Sequence, residues 1–180
     1  MLTFIKTQLI DTGTFMGKAC DFCCDVVQWC ADAVGMTYEE LNMYAFYILQ
    51  PVIYILFALW GSWLLYRLSA RGGFLPGKIS SAVMALANIV MAVIVFRTFY
   101  GADMNALFYV KVDAIAASAT EWGISYSAWN LLVFAVFFIL VCVFHTETVR
   151  LYRRGWLIPL FVWSWLMMLL SPLLVFVFFV

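Results

Sequence analysis

Four long apolar stretches constrain the fold of this chain more than any other feature. Each is long enough to cross a bilayer as a helix, which takes about 20 apolar residues. The predicted spans are residues 43–66, 79–97, 126–145 and 156–180, and their only Asp, Glu, Lys or Arg is Arg97. Hydrophobic residues make up 67% of the chain and charged residues 11%, against about 45–50% and about 25% in soluble domains. The sequence therefore predicts an all-α integral membrane protein with four transmembrane helices.

Amphipathic segments precede the first and third spans. Residues 1–34 and 104–122 both place apolar side chains at helical spacing, but charged residues interrupt them too often for either to span. The apolar stripe predicted for the first segment comprises Leu2, Ile5, Leu9, Met16, Cys20, Cys23, Val27, Cys30 and Val34. We expect both segments to be helices that lie at the membrane surface.

A short pattern occurs twice, each time before a predicted span. Residues 35–42 and 123–130 share a Gly, an apolar residue, Thr or Ser, Tyr, two variable residues, an apolar residue and Asn. Thr37 and Ser125 stand where an N-cap hydroxyl accepts a hydrogen bond from the first helical turn. Glu40 completes a capping box in the first copy, whereas the second copy has an alanine there. Both copies predict a sharp turn into a helix.

The two halves of the chain resemble each other beyond this pattern. At the same offset Asp25 matches Asp113, and further on residues 65–67 and 151–153 both read Leu-Tyr-Arg. We interpret the chain as a tandem duplication with repeat units at residues 1–102 and 103–180. Each unit would hold an amphipathic outer-face helix and a hairpin of two spans, as in parallel-repeat membrane proteins. Chance similarity in a biased composition is the alternative.

Basic residues predict the orientation in the membrane. The segments after the first and third spans hold one acid, Glu147, and six basic residues: Arg67, Arg71, Lys78, Arg150, Arg153 and Arg154. Acidic residues dominate the rest of the polar sequence. The positive-inside rule then places the basic loops in the cytoplasm and both termini outside it. We expect the membrane to be the inner (plasma) membrane of a bacterium.

The cysteines near the N-terminus invite a metal or redox interpretation. Cys20, Cys23, Cys24 and Cys30 are poorly spaced for zinc, which favours two separated pairs. Three of them fall on the predicted apolar stripe, where thiols behave as small hydrophobic groups. We therefore favour packing, and we expect no catalytic residue, cofactor or metal. His145 is the only histidine, and Glu147 with Arg150 has the spacing of a solvated helix pair.

Polar residues within or bordering the spans are the candidate functional groups, because holding them in a bilayer is costly. They are Asn42, Gln50, Asn88, Arg97, Asn130 and Ser171. Pro51 and Pro172, each directly after a candidate, are expected to break the first and fourth spans. Two interpretations stay open: hydrogen bonding between helices, or a path for a solute or ion. Arg97 is expected to pair with an acid near the helix end.

Three functional hypotheses follow. The first is a non-catalytic membrane subunit that assembles with itself or with other membrane proteins through its spans and its extracytoplasmic amphipathic layer. Its partners would be membrane lipids and protein subunits, and not nucleic acid. The alternative is an oligomeric pore or small-solute or ion carrier that uses the broken helices near Gln50-Pro51 and Ser171-Pro172. A membrane thiol or quinone enzyme ranks third, and it requires Cys20, Cys23 or Cys24 near the bilayer surface.

Overall fold

A computed structural model describes the backbone of residues 9–179 and the side chains as far as residue 170. All regular structure in this part of the chain is helical. The helices are α1 (Phe15–Val34), α2 (Tyr38–Met43), α3 (Gln50–Arg71), α4 (Leu75–Phe99), α5 (Met104–Glu121), α6 (Tyr126–Arg153) and α7 (Leu157–Phe179), with a π-helical turn at Tyr44–Leu49. Leu2 and Ile5 of the predicted apolar stripe lie outside the described residues.

Three helical segments among the described residues are long and apolar enough to cross a membrane, and the all-helical fold is compatible with a helical membrane protein. They are Tyr38–Arg71, which runs through α2, the π-helical turn and α3, then Leu75–Phe99 and Tyr126–Arg153. They contain the first three predicted spans and extend beyond them at one or both ends. The fourth predicted span coincides with α7, whose described apolar part is the shorter Leu157–Leu170.

The prediction that the first span breaks at Gln50-Pro51 is wrong, because the helix changes its winding there and does not end. The backbone stays helical from Tyr38 to Arg71, and the π-helical turn at Tyr44–Leu49 lies just before the proline. Pro51 has no N–H to donate to the preceding turn, and the helix widens at that place without ending. The backbone of α7 is likewise helical through Ser171-Pro172.

Both copies of the repeated pattern form the turn that was predicted. Gly35 and Gly123 are left-handed, with φ of 72° and 64°, a conformation that glycine adopts without steric cost. The next residue in each copy donates its N–H to a carbonyl five residues back, at 3.0 Å and 2.9 Å, and this closes the preceding helix. Thr37 then caps α2 with the full capping box. Ser125 accepts one N–H from the first turn of α6 at 3.3 Å.

The chain forms two compact units. The first unit is the described part of Met1–Tyr47 together with Gly101–Phe137, and the second is Ile48–Tyr100 with the described chain from Phe138 onward. In the first unit α2 packs against α1 and α5. In the second, α3 packs against α4 and α7. This division differs from the repeat units at residues 1–102 and 103–180, which stay a prediction.

Small residues bring the helices of the second unit close together. A Cβ added at Gly77 of α4 would overlap the Ser69 hydroxyl of α3, so these backbones approach at near contact. Around this approach lies a core cluster of Leu65, Met84, Leu151 and Leu160. Close backbone approach at small residues is the usual basis of helix association in lipid, where apolar burial alone gives no driving force.

Candidate functional site

A cluster of thiol and phenol groups lies inside the first unit. The buried residues of α1 are Gly17, Cys20, Cys24 and Ala31. The Tyr38 hydroxyl donates to Cys24 Sγ at 3.3 Å, and both side chains are buried. Cys23 is exposed, so its predicted place on the buried stripe is wrong. Relative to the predicted stripe, the observed buried face of α1 is shifted by about one residue, because Tyr38 packs on Cys24 and not on Cys23.

The environment of these thiols keeps them protonated. The neighbouring Cys24 thiol, together with burial, raises the pKa of Cys20 far above its ordinary value. Burial, followed by the proximity of Cys24, raises the pKa of Cys23. The thiolate is the nucleophile and metal ligand, so both shifts act against such chemistry. Among the described residues no group of three or more His, Cys, Asp or Glu side chains is placed to hold a metal ion.

Side-chain hydrogen bonds join the start of α2 to the start of α5. The Thr37 hydroxyl donates to Asn105 Oδ1 at 3.0 Å, and the Tyr109 hydroxyl donates to Glu39 Oε1 at 3.1 Å. Glu39 is buried. Burial, and then the nearby Glu39, raise the pKa of Tyr109. No sequence motif marks Asn105 and Tyr109, although their four-residue spacing places them on one face of a helix.

α1 carries a second apolar face, which is exposed. Its members are Phe15, Phe22, Val26 and Trp29, with exposed fractions of 83%, 68%, 42% and 72%. We call them the aromatic stripe of α1. At about 100° per residue they lie on the side of the helix opposite its buried face. The predicted stripe missed this face, because we sought one apolar side and α1 has two.

Three helices of the second unit contribute polar side chains to one small cavity. Ser62 of α3, Asn88 of α4 and Ser164 of α7 line a space of about 20 Å³. All three are buried, and each donates to a carbonyl four residues back in its own helix, at 2.9, 2.8 and 2.7 Å. A cavity of about 10–15 Å³ or more admits a water molecule. This site could therefore hold about one water.

Gln50 and Arg97, the other candidate residues of the second unit whose side chains are described, do not line this cavity. Gln50 is the half-buried first residue of α3 and does not line it. Arg97 is exposed in the last turn of α4, and Asn130 is half-buried in α6. Asn42 donates to the Tyr38 carbonyl at 3.2 Å. Ser171 lies in α7, but its side chain is outside the described part.

The sequence did not predict one side-chain hydrogen bond of the second unit, which joins a tryptophan to a threonine. Trp163 Nε1 donates to the Thr148 hydroxyl at 3.2 Å, which in turn donates to the Phe144 carbonyl at 2.7 Å. His145 stacks on Trp60, with ring centroids 4.9 Å apart, so packing accounts for its position. The predicted ion pair of Glu147 with Arg150 is confirmed. Indole and hydroxyl groups fifteen residues apart give no local sequence signal.

Comparison with protein-family models, with curated proteins and with solved structures finds no match. Function must therefore be inferred from the residues of this chain.

Proposed function

We propose that the protein is a non-catalytic integral membrane subunit that assembles with itself or with other membrane proteins. In this proposal α7 is a fourth span, and the four spans form two tandem hairpins. The basic turns lie in the cytoplasm and both termini lie outside it, in the inner membrane of a bacterium. The main support is the aromatic stripe of α1, which faces away from the rest of its own unit.

The arrangement of side chains around α1 favours a protein partner for this stripe. Asp21, Asp25 and Asp32 lie together on one edge of the helix, about 90° from both apolar faces at 100° per residue. If that edge faces water, the aromatic stripe points sideways along the membrane surface. A lateral stripe of Phe and Trp is what an adjacent subunit would cover, since aromatic residues are enriched at interfaces.

The acidic edge also argues against the bilayer as the sole occupant. Interfacial helices that bind membranes carry Lys and Arg on their polar face, which are attracted to anionic lipids. The helix α1 carries three Asp residues against Lys18 as its only basic residue. Contact with anionic head groups would therefore be repulsive, whereas a protein partner could supply basic side chains.

The mass of the assembly tests the proposal. Purified in a mild detergent from its native membrane, the protein should have a mass well above the 20.6 kDa of one chain. Replacing Phe22 and Trp29 together by Ala should lower that mass, because two large side chains leave the docking face. The matched control replaces Phe96 and Phe138 by Ala. These side chains have exposed fractions of 66% and 60% but lie on candidate spans.

Thiol labelling separates loss of assembly from loss of folding. In folded variants Cys23 should react with a polar maleimide, and buried Cys20 and Cys24 should not. The proposal fails if the unaltered protein purifies as a single chain. It also fails if the Phe22 and Trp29 variant, correctly folded, keeps its full assembly mass, or if the control variant loses as much.

A second candidate function is a pore or carrier for a small solute or ion, and the cavity between Ser62, Asn88 and Ser164 favours it. Polar side chains inside a membrane protein are costly to hold there, so their convergence from three helices favours a functional role. At about 20 Å³ the cavity is closed to anything larger than water, so transport would require the helices to move apart. Solute flux into proteoliposomes that is abolished by Asn88→Leu would favour this function. Absence of flux, with unchanged assembly, would favour the subunit.

A further inference from the structure

Six basic residues flank two neighbouring turns of the second unit. They are Arg67 and Arg71 at the end of α3, Lys78 in the first turns of α4, Arg150 and Arg153 at the end of α6, and Arg154 after it. We call them the basic cluster. The Arg71 guanidinium lies 5.9 Å from the centre of the Tyr152 ring. A Cβ at Gly72 would touch Leu157 at 3.4 Å, so the two turns are in contact.

The cluster has cationic groups to spare for a ligand. Of the six residues in the basic cluster, only Arg150 has an acidic partner among the described residues, Glu147. Arg67 lies over the Trp63 ring at 4.9 Å, and Arg154 lies over the Trp156 ring at 5.0 Å. Stacking uses the flat face of a guanidinium and leaves its N–H donors in the plane for a carboxylate or phosphate. The ring contacts thus position Arg67 and Arg154, and no described acidic side chain pairs with either of them.

An apolar stripe leads directly to this cluster along α3. Ile53, Leu56, Trp60 and Trp63 follow helical spacing and are 42%, 59%, 37% and 49% exposed. Arg67 is the next residue on the same face. From Ile53 to Arg67 the stripe is about 21 Å long at 1.5 Å per residue. One leaflet of the hydrocarbon core is about 15 Å thick, so the stripe can accommodate an acyl chain along its whole leaflet.

We propose that the basic cluster and the exposed stripe of α3 form a binding site for an anionic phospholipid. Arg67, Arg71 and Arg154 bind the head-group phosphate, and one acyl chain lies along Leu56, Trp60 and Trp63. A soluble phosphate would use the cations but not the stripe. The site rests on the membrane insertion proposed above and not on the docking of α1, so assembly mass and lipid retention can fail separately.

Native mass spectrometry of the full-length protein in mild detergent tests the site. The probes are phosphatidylglycerol and phosphatidylcholine with identical acyl chains. The unaltered protein should retain phosphatidylglycerol preferentially. One basic residue near a membrane surface is worth about 1 kcal/mol, or about fivefold. Arg67→Gln, Arg71→Gln and Arg154→Gln should therefore each weaken retention about fivefold, and Arg67→Lys should weaken it less.

The matched control is Arg97→Gln. Arg97 is exposed in the last turn of α4, about 28 Å along that helix from Lys78 at 1.5 Å per residue. It should leave retention unchanged. Equal retention of the two lipids would overturn the proposal, as would a loss in Arg97→Gln as large as in Arg67→Gln. Displacement of phosphatidylglycerol by millimolar inorganic phosphate would also overturn it, because the site would then bind a free anion.

Discussion

The two capped turns at residues 35–42 and 123–130 share a backbone and differ in their side-chain bonding. Both close one helix with a left-handed glycine and open the next with a hydroxyl cap. In the first turn Thr37 accepts from the Glu40 N–H at 3.1 Å, and Glu40 Oε2 accepts from the Thr37 N–H at 3.0 Å. In the second turn the cap is a single bond of 3.3 Å.

Hydrogen bonds to another helix add to the difference between the two turns. The first turn is joined to α5 through Thr37 with Asn105 and through Glu39 with Tyr109. In the second turn Ser127 is 1% exposed, and its hydroxyl lies near the Cys20 thiol but makes no hydrogen bond of ordinary geometry among the described atoms. Trp122 and Trp129 stack there, with centroids 6.2 Å apart. One local pattern therefore fixes the turn, whereas the surrounding helices determine how firmly it is held.

The largest expected effect concerns the bond that only the first turn has. Tyr109→Phe removes the hydrogen-bond donor to buried Glu39. It should lower the free energy of unfolding by about 1–3 kcal/mol, the usual cost of leaving a buried polar group without a hydrogen-bond partner. Thermal unfolding in detergent measures it. Tyr100→Phe is the control, since Tyr100 is 77% exposed. Equal stability of the two variants would show that Glu39 does not depend on this bond.

The same variant should change the alkaline dependence of stability. Because the folded pKa of Tyr109 is raised, its contribution is complete below its ordinary pKa of about 10 and is lost as the pH rises through the folded value. Tyr109→Phe should therefore show a smaller alkaline loss than the unaltered protein. Burial lowers the pKa of Lys111, but Lys111 is present in both proteins and cancels in the difference.

An intermediate effect is expected from the caps themselves. Thr37→Ala should cost about 0.5–2 kcal/mol, the usual loss of an N-cap, and Ser125→Ala should cost less because its bond is longer and stands alone. Thermal-shift series on both variants give the comparison. Thr120→Ala, which removes an exposed hydroxyl bonded within its own helix, controls for the lost methyl and hydroxyl. A larger loss at Ser125 would reverse the ranking of the two turns.

The smallest expected effect is a gain. Ala128→Glu gives the second turn the residue that completes a capping box, and a reciprocal bond to the Ser125 N–H becomes possible. Stability should rise by a few tenths of a kcal/mol, about the amount that Glu40→Ala loses in the first turn. Ala128→Gln should give a similar gain, which would separate the hydrogen bond from the added charge. No gain in either would mean that tertiary contacts already fix the second turn.

Local sequence signals made the two turns predictable, whereas most of the candidate functional site could not be predicted from sequence. A cap involves residues three apart, so Thr37 with Glu40 can be recognised from sequence alone. Which of Cys23 and Cys24 is buried cannot be recognised from sequence, because the two residues are adjacent and chemically identical. In the folded chain Cys24 is buried against the Tyr38 hydroxyl and Cys23 is exposed.

The cavity in the second unit shows the same limit. Asn88 was a candidate because a polar amide inside an apolar span is unusual. Ser62 and Ser164 were not, since serine is common in helices and each donates to its own helix. Their convergence on Asn88 depends on how α3, α4 and α7 pack. The proline effect was misjudged for a related reason, because sequence gives the missing N–H of Pro51 but not whether a helix breaks or widens.

The adjacent thiols of α1 have a consequence for oxidative damage. Cys23 is exposed, while Cys24 is buried beneath the Tyr38 hydroxyl. Susceptibility to oxidation rises with exposure, so of these two adjacent thiols peroxide or a disulfide exchanger should attack Cys23 before Cys24. A sulfenic acid or mixed disulfide there would project away from the buried face of α1. The protein should therefore tolerate oxidation at one cysteine while the thiols that pack α1 onto its unit stay reduced.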